Sequence, residues 1–280
     1  MVAAAGGGRF LNLFYPENLY CLSCGRPLVW NAKKCENENK NKDGQAKLPF
    51  CGACLTDLPW VRGRTCARCG KPLAPENPKP VCRDCAGAAH LFGRGYACVS
   101  YAGKAAGLVR DMKYRERPHM AEALGQLMAQ RFLSFADPGT GELPVYDLVC
   151  AAPMHARKKA RRGYDQAELL ARGFSRRSGL PYAPGLLARV HETGVMSGLS
   201  RDDRRRNLSG EITLRENMQA GFRSLEISGK RVLVVDDIFT TGSTADACAE
   251  ALLGGGAAAA DFFAFAIGAD GRAGDTARGL

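Results

Sequence analysis

Eight of the twelve cysteines fall into four Cys-x-x-Cys pairs, Cys21/Cys24, Cys51/Cys54, Cys66/Cys69 and Cys82/Cys85, all within the first third of the chain. A tight turn carrying two thiolates can bring both sulfurs about 2.3 Å from one zinc ion, and two such turns complete a tetrahedron. The spacing therefore predicts two structural Zn2+ sites. Sequential pairing, with the first two turns on one ion and the last two on another, closes the shorter loops; a cross-braced arrangement stays open. Disulfides are not expected of a long cytosolic chain. Buried thiols or a redox pair are the other reading, against which stands the fourfold repeat of one spacing. Cys98, Cys150 and Cys248 sit in apolar contexts that predict core residues, and Cys35 in a polar insertion that predicts a surface thiol.

A second chemistry is written in Val232 to Thr244, VLVVDDIFTTGST, where an apolar run meets Asp236-Asp237 and passes through a Thr/Gly/Ser turn into a helical pattern. Thr240, Thr241, Gly242, Ser243 and Thr244 supply hydroxyls, one flexible position and backbone N–H groups at a helix start, the makings of a phosphate seat. The two carboxylates repel phosphate; they suit a pair of sugar hydroxyls or the waters of hydrated Mg2+. Phosphate beside a diol implies a ribose 5-phosphate. A Walker-type loop is excluded because no Lys follows the Gly at the required place.

Two further segments bear charge. Arg157, Lys158, Lys159, Arg161 and Arg162 follow the apolar run Asp147 to Ala152 and suit pyrophosphate; a solvated basic face is the plainer reading. Thr193 to Gly210 is polar and Arg-rich and reads as a mobile flap over the site, with Met196, Leu199 and Leu208 as anchors. His155, inside the basic loop, reads as a surface or phosphate contact rather than a general base.

These groups need a scaffold, and the composition provides for one. With 280 residues, 46% hydrophobic and 24% charged, the chain has room for one or two domains, which excludes disorder and collagen-like repeats. No run of about 18 apolar residues occurs, and Arg9 interrupts the opening stretch, so a cytoplasmic protein without membrane insertion is expected. The net charge of +11, brought to about +7 by eight thiolates and two zinc ions, suits a phosphate-bearing partner, nucleotide or nucleic acid. Gly25-Arg26-Pro27-Leu28 and Gly70-Lys71-Pro72-Leu73 form a weak internal repeat that favours two similar zinc ribbons, separated by the polar loop Asn31 to Lys47.

Cysteine pairs stop near Gly87 to Gly93, which predicts a zinc-ribbon domain over 1–90 and a second domain over 91–280. In the second, periodicity predicts strands at Tyr96 to Tyr101, Asp147 to Ala152, Arg231 to Val235 and Asp261 to Ile267. It predicts helices at Lys104 to Tyr114, Met120 to Phe135, Tyr164 to Ser178 and Ser243 to Leu253. Alternation of this kind demands a mainly parallel α/β sheet with ligands at the carboxyl ends of its strands.

The strand, acid pair and Thr-Thr-Gly turn resemble the type I phosphoribosyltransferases. The resemblance implies that Asp236 and Asp237 contact ribose hydroxyls, that Thr240, Thr241, Gly242, Ser243 and Thr244 hold the 5-phosphate, and that the ligand is phosphoribosyl pyrophosphate (PRPP) with Mg2+. Together with the cysteine pairs, Tyr101 to Gly125 and Arg161 to Arg172 (RRGYDQAELLAR), nearly the whole chain is similar to the ComF family, in which a double zinc ribbon precedes a phosphoribosyltransferase domain. Asp165 stands where that pattern has Asn, and Met196 where it has Gln.

That resemblance implies phosphoribosyl transfer to an unknown acceptor, in association with DNA uptake and competence proteins. The alternatives are a catalytically silent protein that binds single-stranded DNA, with Tyr164 beside Arg162 as a stacking candidate, and a zinc-dependent docking module with Trp30 and Trp60 as anchors. Core packing around the zinc sites is the competing reading of both tryptophans.

Overall fold

The computed structural model describes residues 20–28, 48–115, 117–135, 144–190, 211–215 and 227–269. The chain divides into two compact units, Met1–Leu58 and Pro59–Leu280. Trp30, Cys35, the loop Asn31 to Lys47 and the flap Thr193 to Gly210 lie outside the described residues.

The first unit carries one ribbon. Tyr20 bridges Pro27, and the turn between them closes with the Cys21 amide on the Arg26 carbonyl at 2.8 Å. Cys51, in extended backbone, leads into the short helix α1 (Gly52–Thr56).

In the second unit the repeat Gly-Lys-Pro-Leu builds the same turn. Thr65 bridges Pro72, the Cys66 amide reaches the Lys71 carbonyl at 2.7 Å, and α2 (Arg83–Ala86) follows Cys82. The chain continues through β1 (Gly95–Ser100), α3 (Gly103–Tyr114), α4 (Pro118–Phe132), β2 (Leu148–Ala151), α5 (Ala156–Arg162) and α6 (Gln166–Ser178). Then come the antiparallel pair β3 (Leu187–Arg189) and β4 (Ile212–Leu214), β5 (Arg231–Phe239), α7 (Ser243–Gly254) and β6 (Ala259–Ile267).

Four strands form a parallel sheet in the order β1-β6-β5-β2. Its strands are mainly apolar because both faces are covered. Alternate residues go opposite ways. Val232, Val234, Phe262 and Ala264 join α7 and the second ribbon's Cys66, Cys69 and Cys82 in one buried cluster. On the other face Phe263 meets Phe132 of α4 and Phe174 of α6 at centroid distances of 6.1 and 5.7 Å. Each such ring contributes about 2 kcal/mol by its burial alone.

Helices α4 and α6 cross backbone to backbone. A Cβ on Gly125 would lie 2.1 Å from the Leu170 carbonyl oxygen, and one on Gly173 2.1 Å from that of Glu122. Only glycine fits at this crossing, which sets α6 over β5 and β2.

The expected α/β scaffold is present, with three differences of detail. Strand β5 runs to Phe239 rather than stopping at Val235, because Asp237 finds polar partners inside the sheet edge and the ladder to β6 continues. The basic run folds as its own helix, α5, with no buried residue. The β3–β4 pair, three residues a strand, is too short to show a period. No helix among the described residues is long and apolar enough to cross a membrane.

Candidate functional site

Two kinds of site emerge, one of sulfur and one of charge. Cys21, Cys24, Cys51 and Cys54 bring their sulfurs within 4.8 Å of one another, and so do Cys66, Cys69, Cys82 and Cys85. The pairing is sequential. Four sulfurs at tetrahedral zinc distances are about 3.8 Å apart, and Cys24–Cys51 and Cys69–Cys82 stand at 3.8 and 3.7 Å. Zinc binds thiolates. Burial opposes ionisation of Cys21, but the amides of Cys51, Cys24 and Ser23 outweigh it and bring the thiol down to about 6. In the second cluster Cys82 accepts the Cys85 amide at 3.4 Å. Both sets therefore fit structural zinc. Cys98, Cys150 and Cys248 are fully buried, as core thiols should be.

The charged site lies at the carboxyl edge of the adjacent parallel strands β2 and β5. Residue Ala151 pairs with Val235, so β2 ends beside the start of the acid pair, while β5 carries on to Phe239 before its own turn; both turns leave from the carboxyl edge. Asp236 and Asp237 sit in β5 itself, and the pleat directs them to opposite faces. Asp237 is 5% exposed. Its carboxylate accepts from Gln166 Nε2 at 2.9 Å and pairs with Lys113 Nζ at 3.2 Å. Asp236 is partly buried and accepts the Asp237 amide at 2.7 Å. Burial and the Asp237 charge push it well above the usual carboxylate range. Desolvation pulls Lys113 down, yet the two carboxylates outweigh it and hold the ammonium above its ordinary value.

Beyond Phe239 the turn 240–242 opens α7. Gly242 takes the left-handed region at φ 86° as the N-cap, and a Cβ there would lie 2.8 Å from the His90 ring. The amides of Ser243, Thr244 and Ala245 have no partner within the helix and donate to no described residue. Thr241 Oγ1 and Ser243 Oγ stand 3.0 Å apart at the same mouth. The arrangement is a ring of donors at the positive end of a helix.

From the basic run Arg162 reaches the acids through Gln166: it donates to Gln166 Oε1, so Arg162, Gln166, Asp237 and Lys113 form one network. Arg157 and Arg161 are exposed, and Lys159 pairs with Glu168 at 2.7 Å. Lys158 is partly buried on α5. His155 caps α5, its Nδ1 accepting the Arg157 amide at 3.3 Å. Asp165 caps α6, accepting the Ala167 and Glu168 amides at 2.9 and 3.3 Å and the Met154 amide at 3.3 Å. Asp at the Asn position of the pattern thus serves as a cap of equal rank.

Tyr164, the stacking candidate of the DNA-binding alternative, is engaged within the fold. Tyr164 donates its hydroxyl to the Met112 carbonyl and is partly buried, whereas Tyr114 is 71% exposed with the Arg162 guanidinium 5.7 Å from its ring centre. Trp60 is partly buried and bridges Val99 of β1. Lys113, Gln166 and Tyr114 were not singled out by sequence; Lys113 and Gln166 lie in segments that carry the family resemblance, but their convergence on Asp237 joins three separated elements.

Residues 10–86 match the family model of the double zinc ribbon domain, and residues 176–275 that of the phosphoribosyl transferase domain. The DNA utilization protein YhgH of Salmonella typhi is 31% identical over 75% of this chain and 88% of its own. Competence protein F of Haemophilus influenzae is 28% identical over 70% and 75%. Among solved structures, the glutamine PRPP amidotransferase of B. subtilis is 20% identical with a TM-score of 0.35, over 56% of this chain and 30% of that one. By its two zinc ribbons, its type I phosphoribosyltransferase fold and these relatives, the chain belongs to the ComF family, alongside YhgH and competence protein F.

Proposed function

We propose that the protein binds PRPP with Mg2+ and transfers its phosphoribosyl group to an acceptor, in a role connected with DNA utilization and competence. One observation carries the reading: the acid pair of β5 begins where its parallel neighbour β2 gives way to the basic run, and the donor-lined mouth of α7 follows the end of the same strand. The resident chemistry is positioning and charge.

The amides and hydroxyls of 241–244 would seat the 5-phosphate. Asp236 and Asp237 would accept from ribose hydroxyls, and Lys113, released from Asp237 as the sugar engages it, would turn its ammonium toward pyrophosphate with Arg157, Lys158 and Arg162. Mg2+, when bound, supplies further neutralisation of the leaving group. The bond from C1 to pyrophosphate oxygen breaks, the acceptor's lone pair forms the new bond at C1, and the acceptor gives up its proton. Charge develops on both halves, so the walls described above lower the barrier without a nucleophile of the protein's own.

The test is ligand-induced stabilisation. PRPP with Mg2+ raises the melting temperature of the wild type, and the Asp236→Asn/Asp237→Asn double variant shows no rise; a full rise in the variant removes the assignment. Pyrophosphate release across a panel of bases then identifies the acceptor.

A second reading has one observation in its favour: exposed Tyr114 beneath Arg162, next to the basic helix α5, offers a stacking face within a cationic surface, as single-strand binders do. Under this reading Tyr114→Ala weakens single-stranded DNA binding by about 1–3 kcal/mol, and affinity falls steeply with salt. Salt-insensitive binding rejects it.

A further inference from the structure

His90 lies between the second zinc ribbon and the turn that opens α7, and no step of the proposed chemistry uses it. Its imidazole is 4% exposed. Nδ1 donates to Asp246 Oδ2 at 2.9 Å, and the next amide, Leu91, donates to Asp246 Oδ1 at 2.7 Å, so one carboxylate in the first turn of α7 is held twice by this segment. The Asp246 amide in turn reaches the Gly242 carbonyl at 2.8 Å. The same edge of the ring, Cε1 and Nδ1, fills the space that a Cβ on Gly242 would need.

On its other side His90 is tied to the ribbon. Arg68, between the ligands Cys66 and Cys69, donates to the His90 carbonyl at 2.5 Å and lays its guanidinium 5.6 Å from the centre of Phe92. Phe92 stacks on His90 at 4.7 Å and meets Phe239, the last residue of β5, edge-on at 5.8 Å. An unbroken set of packed and hydrogen-bonded groups thus runs from the metal turn to the phosphate turn.

We propose that the second ribbon braces the phosphate seat through His90, a positioning residue that Arg68 and Asp246 hold beneath Gly242. The inference rests on the reading of 240–244 as a 5-phosphate seat. Without the imidazole, Gly242 has room to leave its left-handed conformation, the amides of 243–245 no longer converge, and binding of a phosphate monoester weakens. Pyrophosphate, taken up by the basic end of β2, is unaffected.

The experiment measures the affinity of the full-length, zinc-loaded protein for ribose 5-phosphate and, separately, for Mg-pyrophosphate, with zinc content and melting temperature for each variant. His90→Ala weakens ribose 5-phosphate about tenfold and leaves pyrophosphate unchanged. His90→Asn, whose amide nitrogen replaces Nδ1, restores most of the loss. Arg68→Met, which is no ligand, reproduces the selective loss in smaller degree and decides the matter if His90→Ala does not fold. Equal weakening of both ligands, or ribose 5-phosphate binding at the wild-type level in His90→Ala and Arg68→Met, overturns the proposal. A wild type that binds pyrophosphate but not ribose 5-phosphate overturns instead the reading of the turn on which it rests.

Discussion

In the first ribbon the Cys21 amide meets the Arg26 carbonyl at 2.8 Å and the Leu22 amide the Pro49 carbonyl at 2.9 Å; in the second, Cys66 meets Lys71 at 2.7 Å and Ala67 meets Pro80 at 2.8 Å. The two turns are copies, yet their side chains are used differently. Arg26 and Cys24 are exposed, whereas Lys71 is 3% exposed and pairs with Asp84 at 2.5 Å. Cys66, Cys69 and Cys82 belong to the same buried cluster as the sheet residues Val234 and Phe262. The Gly95 amide at the head of β1 bonds to the Arg68 carbonyl inside the second metal turn. One repeat lies within the compact unit Met1–Leu58, and the other is part of the buried core of Pro59–Leu280. The same ligand set therefore carries two different structural duties.

The largest effect that could break this comparison comes from the ligands. Cys82→Ser removes one thiolate from a cluster continuous with the sheet core, and the expected cost to Pro59–Leu280 exceeds about 4 kcal/mol, with loss of PRPP-induced stabilisation. Cys24→Ser costs the first zinc but leaves that stabilisation in place. Both variants hold one zinc instead of two by elemental analysis. Equal loss of PRPP response in the two would show that the ribbons are not distinct in role.

A smaller contrast uses the equivalent basic positions of the repeat. Lys71→Met strands Asp84 beside a buried site, and denaturant unfolding should register a loss of about 2 kcal/mol. Arg26→Met, at an exposed position, should change stability by less than about 0.5 kcal/mol. Matching losses would mean that burial of Lys71 contributes nothing special.

How much of this could be read in advance follows the distance along the chain over which each feature is defined. The cysteine pairs and the Gly-Arg-Pro-Leu and Gly-Lys-Pro-Leu repeats are local, so the two clusters were legible from spacing, and Asp236 to Thr244 is local too, so its passage from strand through turn to helix was legible. The strands were legible because both-face burial leaves uninterrupted apolar runs such as Val232 to Val235 and Phe262 to Ile267. The continuation of β5 through its acids was not, since two adjacent carboxylates look like a strand's end until Gln166 and Lys113 are seen to satisfy Asp237. His90 was equally silent: its partner Asp246 lies 156 residues away. The same holds for the division into two compact units, which falls along the chain between Leu58 and Pro59, inside the cysteine-rich region.

A third effect separates the ribbons from the binding edge by pH. Asp236 has its folded pKa raised above the ordinary 3.8 by burial and by Asp237, so the unfolded chain binds fewer protons than the native one and stability falls as pH rises above that value. Acidification relieves this cost, while protons compete with zinc for the thiolates. Asp236→Asn removes the first effect only. In ligand-free, zinc-saturated protein the variant should melt above the wild type at pH 8, by a few degrees, and the gap should narrow toward pH 5. A gap independent of pH would assign the strain to packing rather than charge.

The smallest effect concerns the place where this chain departs from its family's pattern inside the sheet unit. Asp165→Asn keeps the cap on α6, since Asn and Asp rank together at that position. It surrenders one long contact, the Met154 amide at 3.3 Å. Against this stands a gain: burial and the nearby Glu168 raise the Asp165 pKa, so the ionised acid carries a cost at neutral pH that the amide does not. The two changes oppose each other, and the net shift in unfolding free energy at pH 7 should lie within about 0.5 kcal/mol, with the variant gaining on the wild type as pH rises from 4 to 7. A loss of 2 kcal/mol or more would mean that the Met154 contact anchors the turn after β2, and the sensitivity now ascribed to the ribbon side of the fold would extend to the carboxyl end of β2 as well.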